Sequence, residues 1–350
     1  MYKMAIIGYG GMGSWHAASI REQLPEIKVK GIYDIRPERC EEAKKDGYHI
    51  YNTVDEIYND SEIILVTIAT PNDSHKNLAI SALKAGKNVI LEKPATMTSV
   101  DYEDIMKIAK ETGKILTTHQ NRRWDKDYNI IKRIYNEKSI GNVYMMESRV
   151  QGSRQVLHGW RGDKVNGGGM VYDWGVHLID QYLNMVKSPV ISVYADLFYI
   201  FTDEVDDNFK AVLRFENGVS ALIEVSMNCF ILHPRWHVSA DKGTAVIDDW
   251  DCNGKIVALN SDCEMAWEEK IVYTSAGPTR SMAPRPVETV NEMPLPIAEP
   301  QWNDYYKNVF AAIEGREELI VKPSETLRVL KVIDAIFQSG EKKCSISCNI

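Results

Sequence analysis

Three side chains have the types needed to take a proton from an alcohol while a hydride leaves its carbon. They are Lys93, in Glu92-Lys93-Pro94, and Asp173 and His177, in the run Gly167-Gly168-Gly169-Met170-Val171-Tyr172-Asp173-Trp174-Gly175-Val176-His177-Leu178-Ile179-Asp180. Histidine, whose pKa lies near working pH, is the usual acceptor of such a proton. A neighbouring carboxylate fixes its ring and stabilises the imidazolium, and a lysine can hold the hydroxyl and favour the developing alkoxide. Asp173 and His177 are four apart and share a face if the segment is helical; Asp180, three further on, lies on the side of His177. The three consecutive glycines are poor helix interior and suit an approach to a helix start or a backbone lying against a ligand. Spacing alone leaves structural alternatives open: a satisfied helix histidine, an exposed Asp–His pair, a solvated lysine before proline.

A hydride needs a carrier, and the start of the chain supplies a place for one. Met4-Ala5-Ile6-Ile7 is an apolar run too short for a helix, and it feeds directly into Gly8-Tyr9-Gly10-Gly11-Met12-Gly13. Ser14 to Leu24 then has helical composition without Pro or Gly. A strand, Gly-x-Gly-x-x-Gly and a helix in that order is the context of a dinucleotide-binding fingerprint. Gly8 permits the tight turn, Gly10 lets backbone approach a pyrophosphate, and Gly13 lets helix and strand pack closely. The helix N-terminus offers unpaired N–H groups to the phosphates. About twenty residues on, Lys28 to Asp34 reads as the next strand and ends in an acid. A carboxylate there accepts the ribose hydroxyls and repels a 2′-phosphate, so Asp34 favours NAD over NADP. Arg36 weakens that preference, because it can pair with a 2′-phosphate. The structural alternative makes Asp34 a turn residue before Arg36-Pro37.

The alternation continues. Helix is expected over Glu38–Asp46, His75–Ala85 and Val100–Thr112, with Asp73 or Ser74 capping the second; strand is expected over Ser61–Ala69, Asn88–Leu91 and Lys114–Thr118. This is a doubly wound parallel sheet of Rossmann type, in which ligands bind beyond the carboxyl ends of the strands. Thr70-Pro71-Asn72 and Glu92-Lys93-Pro94 sit at such ends. After about residue 120 the pattern changes to strands joined by short turns, with Asn217-Gly218 a strong hairpin signal, and helices at Asp125–Lys138 and within Gly167–Met185. The fold class expected is α/β, with a mostly antiparallel α+β second domain. The domains expected are 1–120 and 121–350, with the last helix, about 324–340, packing back on the first. Residues 278–300 hold six prolines and read as one long surface loop.

The chain has 350 residues, 44% hydrophobic and 26% charged, with a net charge of −8. That length allows roughly two domains, and the acidic balance argues against nucleic-acid partners. No apolar run approaches a membrane span, and Met1-Tyr2-Lys3 enters the first strand at once, which leaves no room for a signal peptide; a cytoplasmic protein is expected. The six cysteines, Cys40, Cys229, Cys252, Cys263, Cys344 and Cys348, lack CxxC spacing and read as reduced thiols; no metal site is expected. No G-x-S-x-G elbow and no P-loop occurs.

The glycine fingerprint, Ala69-Thr70-Pro71-Asn72 with His75, Glu92-Lys93-Pro94 and Gly167–Asp180 together resemble the glucose–fructose oxidoreductase/inositol dehydrogenase (Gfo/Idh/MocA) family. The resemblance runs from residue 4 to about 250. His119-Gln120-Asn121-Arg122-Arg123 is similar to the segment that links the two domains in that family. The resemblance implies a Rossmann domain joined to a domain with a large open sheet, which often builds dimers or tetramers, and activity on sugars, cyclitols and their derivatives. Lys93, Asp173 and His177 match the family's catalytic Lys, Asp and His. For the cofactor it implies Gly8, Tyr9, Gly10, Gly11, Met12, Asp34, Arg36, Thr70, Pro71, Asn72, His75, Glu92, Lys93, Asn121, Trp160 and Arg161. For the substrate it implies Lys93, Arg122, Trp160, Asp173, His177 and Trp236, the last as a face for a pyranose within Arg235-Trp236-His237. The expected activity is NAD-linked oxidation of a secondary hydroxyl to a keto-sugar or inosose. The substrate is either a free cyclitol with exchangeable cofactor, or a glucoside oxidised at C3 with the cofactor retained. The rival is a non-catalytic NAD-binding sensor or assembly subunit.

Overall fold

The computed structural model describes residues 1–260, 271–280 and 285–350. In the first half, strands β1 (Tyr2–Ile7), β2 (Ile27–Tyr33), β3 (His49–Ile50), β4 (Leu65–Ile68), β5 (Asn88–Leu91) and β6 (Leu116–Thr118) alternate with helices. These are α1 (Gly11–Gln23), α2 (Pro37–Lys45), α3 (Val54–Asn59), α4 (His75–Lys84) and α5 (Ser99–Thr112). The apolar runs of β4 and β5 are buried at every position, as strands covered on both faces must be. The sheet has the order β3-β2-β1-β4-β5-β6, and every pair is parallel. Strand order reverses between β1 and β4, so a crevice opens beyond their carboxyl ends. The loops after β1, β4, β5 and β6 all open there.

The second half contains α6 (Lys126–Glu137), β7 (Val143–Gln151), α7 (Val176–Met185), β8 (Val190–Phe198), β9 (Asn208–Phe215), β10 (Ser220–Ser226), β11 (Trp236–Ala240), β12 (Gly243–Ile247), β13 (Gly254–Leu259), β14 (Ile271–Thr274), β15 (Gly277–Arg280), β16 (Val290–Met293), α8 (Asp304–Ile313), α9 (Pro323–Lys342) and β17 (Ile346–Ser347). Nine of these strands form one sheet, β16-β13-β12-β11-β7-β10-β9-β8-β17. All its pairs are antiparallel except the central β7–β10 pair, which is parallel. Asn217-Gly218 makes the β9–β10 hairpin, with Gly218 at φ +90°. Gly175 lets α7 settle on β9: a Cβ there would lie 2.7 Å from the Phe209 ring.

Residues 278–300 are not one loop. Pro278 lies in β15, which pairs with β14, and β16 adds an edge to β13; residues 281–284 of that stretch lie outside the described residues, as does Cys263. The partition of the chain is also more interleaved than a cut at residue 120. Helix α8 seats Tyr305, Tyr306, Val309 and Phe310 in the core of the first sheet, beside Met4, Ile6 and Ile20. Helix α9 bridges the halves: Asp334 accepts the Ser99 N–H at 3.1 Å, while Ser339 Oγ accepts the Ala195 N–H at 2.9 Å. The reason is hydrophobic: each helix has a face of large buried side chains that only the adjoining sheet can cover. Among the described residues no helix is long and apolar enough to cross a membrane, and Cys40, Cys229, Cys252, Cys344 and Cys348 are free thiols.

Candidate active site

The glycines divide by task. A Cβ on Gly13 would lie 1.9 Å from the Gly8 carbonyl oxygen, and one on Gly8, at φ +94°, would lie 2.6 Å from that of Ala69. Both therefore serve close packing. Gly10 and Gly11 instead border open space, with only Arg36 Nη2, 4.0 Å from a Gly10 Cβ, nearby. Helix α1 begins at Gly11 with no acid in its first turn and no side-chain cap, so its positive end faces that space. This cradle, open only because it lacks Cβ atoms, fits a pyrophosphate. At the end of β2, Asp34 accepts the Tyr9 N–H at 2.6 Å and the Arg36 N–H at 2.9 Å, with Arg36 Nε 3.7 Å away.

Several residues of the cofactor set are placed behind the crevice. The Tyr9 ring is buried and donates to Asp46 at 2.6 Å; only its backbone faces the loop. His75 is enclosed, and its ring ties Thr70 O at 2.9 Å to Pro94 O at 3.1 Å. Thr70 Oγ1 bonds Ser74 Oγ at 2.6 Å, so Ser74 closes this turn and makes no side-chain cap to α4. Asn72, also buried, donates to the Gly167 carbonyl at 2.8 Å and joins the loop after β4 to the triple-glycine segment. Glu92, 5% exposed, turns away from the crevice: its Oε1 accepts His16 Nε2 at 2.8 Å and His119 Nδ1 at 2.7 Å. The N–H donors of His119 and His16 outweigh burial and hold this carboxyl well below its usual range. Sequence reading did not assemble this His16–Glu92–His119 cluster, because its members stand 76 and 27 residues apart. Met12, Pro71 and Asn121 are partly exposed on loops or helix starts at the crevice side.

Lys93, in the turn that follows β5, points the other way. The Lys93 ammonium donates to the Asp173 carbonyl at 2.9 Å and to its carboxylate at 3.1 Å. Arg161, from a short turn over Gly159–Gly162, reaches the same carboxylate at 3.2 Å, with its guanidinium 5.0 Å from the Trp160 ring. Burial raises the Asp173 carboxyl, but the two cations prevail and hold it below its ordinary range. His177 is buried nearby; its Nδ1 has no hydrogen-bond partner among the described residues. Burial first, then the Lys93 and Arg122 cations, keep the imidazole well below its usual range and therefore neutral.

The geometry corrects two expectations, on Asp173 and Trp236, and gives Asp180 a partner. Asp173 does not bond His177: Val171–Gly175 forms a π-helical turn before α7, and this wider turn moves Asp173 off the simple i, i+4 line towards Lys93 and Arg161. Asp180 serves structure, forming a buried two-pronged pair with Arg123 at 2.7 and 2.8 Å. Trp236 cannot stack on a sugar: it is 0% exposed and donates to Asp127 at 2.9 Å. The aromatic faces near the site are Trp174 and Trp250, with ring centres 5.7 Å apart and the Arg122 guanidinium 4.2 Å from Trp174. Trp174 stands beside Asp173 in the same motif, and that adjacency was the available signal. A cleft of 370 Å³ opens next to Asp173 and Trp174, lined also by Gln151, Arg154, His158 and Arg161.

A parallel dinucleotide-type sheet that contributes Lys93 beyond β5, facing an Asp173 and a His177 on the π turn and helix α7 of a second lobe, defines a two-lobed oxidoreductase. The chain belongs to the GFO/IDH/MocA family: residues 2–120 match its oxidoreductase domain with NAD-binding Rossmann fold, and residues 128–246 match its C-terminal domain. The solved NAD-binding protein from Listeria innocua superposes with a TM-score of 0.94 at 43% identity, over 99% of both chains. The Escherichia coli (strain K12) oxidoreductase YdgJ is 37% identical over 98% of both chains. The scyllo-inositol 2-dehydrogenase (NADP(+)) IolW of Bacillus subtilis (strain 168) is 26% identical over 98% of this chain and 95% of that protein.

Proposed function

We propose that the protein oxidises a secondary hydroxyl of a sugar, glycoside or cyclitol to a ketone, or reduces the ketone, with NAD(H) in the glycine-lined crevice. The observation that carries this reading is the Lys93 ammonium fixed on Asp173, with the neutral, unpartnered imidazole of His177 beside it. When bound, the nicotinamide supplies hydride acceptance or donation. Lys93 has two of its three protons on Asp173 and keeps the third for the reacting oxygen, where it favours the alkoxide. His177 takes the hydroxyl proton, and its depressed basicity keeps it unprotonated for that task at neutral pH. Asp173, itself fixed by Arg161, holds Lys93 in place, and Trp174 offers an apolar face to the ring. Of the two nicotinamide cofactors we favour NAD, because Asp34 offers a carboxylate at the end of β2, where a ribose is expected; Arg36 beside Gly10 and the NADP-named relative argue the other way. The outer face of the larger sheet exposes Ile191, Tyr194 and Phe198, and covering it in a homo-oligomer of dimer size or above is part of this reading.

The test is a panel of NAD and NADP against inositols, glucose and aryl glucosides, read as absorbance of reduced nicotinamide, with Lys93→Ala and His177→Ala alongside. Cofactor binding persists and turnover falls at least ~10²-fold in both variants; undiminished turnover in either removes the assignment.

A further inference from the structure

We infer that the cleft beside Asp173 is built for a polyol bearing an anionic substituent, a carboxylate or a phosphate, with Arg154 and Gln151 as the residues that recognise it. This rests on the reaction proposed above and specifies its substrate.

The argument starts from the charged lining. The cleft holds Arg154, Arg161, His158 and, as its acid, Asp173. That acid is already taken by Lys93 at 3.1 Å and Arg161 at 3.2 Å. Arg154 and His158 are exposed at the cleft rim and have no hydrogen-bond or ion-pair partner among the described residues, so the Arg154 cation is free for a ligand. A second donor points the same way. Gln151, a residue of the cleft lining, spends its amide oxygen on the His233 N–H at 2.9 Å, which leaves its Nε2 buried and unpartnered. A buried donor without an acceptor is costly unless a ligand supplies one. Arginine and a primary amide donor together are complementary to a group that only accepts hydrogen bonds, which describes carboxylate and phosphate better than a neutral hydroxyl.

The segment carrying Arg154 is stitched down. Gly152 donates its N–H to Ser226 O at 2.9 Å and accepts the Cys229 N–H at 2.8 Å. Gln155 donates its N–H to Met227 O at 3.2 Å and its side-chain amide to Asn228 at 2.8 Å. Gln155 also sits at φ +60°, a left-handed conformation that a non-glycine residue keeps only where its surroundings impose it. These bonds fix the segment to the end of β10 at the cleft rim. Electrostatics at the other end of the site agree: Lys93 and Arg122 make the surroundings of His177 positive.

The experiment uses the full chain with NAD and compares methyl β-glucuronide, glucose 6-phosphate and methyl β-glucoside, both as ligands by calorimetry and as substrates. The anionic probe binds about tenfold to a hundredfold more tightly than the neutral one, and the advantage shrinks as sodium chloride is raised. In Arg154→Met the anionic-to-neutral ratio of kcat/KM falls at least tenfold, mainly through KM, and Arg154→Lys recovers part of it. A preference for glucuronide over glucose 6-phosphate identifies the anion as carboxylate, and the reverse identifies phosphate. Equal binding of neutral and anionic probes, or a ratio unmoved by Arg154→Met, overturns the inference. The two readings fail separately. Turnover of neutral polyols without discrimination sinks the anion subsite alone. Tight, Arg154-dependent binding without turnover of any probe supports the subsite and sinks the reaction.

Discussion

Glu92 and Lys93 are consecutive residues at the end of β5, and they enter opposite worlds. Glu92 is closed in: two imidazoles and the Lys93 N–H occupy its oxygens, and Tyr306 completes the set by bonding His16 Nδ1 at 2.7 Å. Lys93 faces the crevice, where the cluster it joins is left incomplete, with His177 unpartnered. Both stand just past Leu91, the last residue of β5, where the chain turns and sends the two side chains to opposite sides. The comparison teaches that one dipeptide can hold both a support and a reactive group. The support is recognised by an enclosed carboxylate whose two oxygens are both taken, although His119 Nε2 beside it lacks a partner, and the reactive side by a cation and a free imidazole that face the crevice.

The sharpest way to break this comparison is to remove each side in turn. Losing Lys93 or His177 costs at least ~10² in turnover and little in stability, read by steady-state rates and chemical denaturation together. Glu92→Ala behaves oppositely. It leaves the buried donors of His16 and His119 without an acceptor and costs roughly 3 kcal/mol of unfolding free energy, read as a lower denaturation midpoint. Glu92→Gln, which keeps an acceptor, loses less. A Glu92→Ala protein as stable as the parent would show that the inner cluster is not the support described.

The reactive side also carries a pH signature. The imidazole of His177 is held well below its usual 6.5 by burial and by Lys93 and Arg122. Because the base acts when unprotonated, kcat/KM stays level as pH falls through 6.5 and drops only below it. Arg122→Gln removes one of the cations and moves that limb upward. An acid limb at or above 6.5 in the parent would remove His177 as the group that takes the proton.

Much of this arrangement was legible because it depends on short sequence periods. Gly8, Gly10 and Gly13 announced a strand-turn-helix, and open space stands beside Gly10 and Gly11, where a phosphate needs it. Lys93 was readable as a polar residue at a strand end, and Asp173 as a carboxylate four residues before a histidine. What stayed hidden depends on long-range pairing. Nothing local links His16 to Glu92 or Asp180 to Arg123. The π turn at Val171–Gly175 also shifts a helical frame that the spacing of Asp173 and His177 takes as regular. Trp236 was misjudged although β11 itself held the information: Trp236 and Val238 are buried while His237 is not, so alternation puts that tryptophan inside.

The helix that carries His177 is fastened at its start by another enclosed acid, and there the effect expected is one of stability against pH. Asp206 Oδ2 accepts the Val171 N–H at 2.8 Å, and Gly169 leaves room for it, since a Cβ there would lie 2.3 Å from Asp206 Oδ1. Burial, helped by Asp207 and only partly offset by these N–H bonds, pushes its carboxyl from 3.8 to about 7. The folded chain therefore holds a proton that the unfolded chain has lost between these two values. Its contribution weakens as pH rises through that window. The midpoint of thermal unfolding falls from pH 5 to pH 7 more steeply in the parent than in Asp206→Asn, which keeps an acceptor and cannot ionise. Parallel curves would show that Asp206 is ionised throughout and that the fastening is an ordinary charged cap.

The smallest effect distinguishes the two tryptophans. Trp236→Phe removes a buried N–H from Asp127, leaves Arg235 as its partner at 3.2 Å, and costs about 2 kcal/mol without changing substrate preference. Trp250 is 52% exposed beside Trp174. Trp250→Ala changes stability by less than about 0.5 kcal/mol and raises KM for the polyol severalfold, because half of a stacking surface is gone while Trp174 remains. If KM is unmoved, the sugar face is made by Trp174 alone. If Trp236→Phe shifts KM instead, the core role given to that ring is wrong.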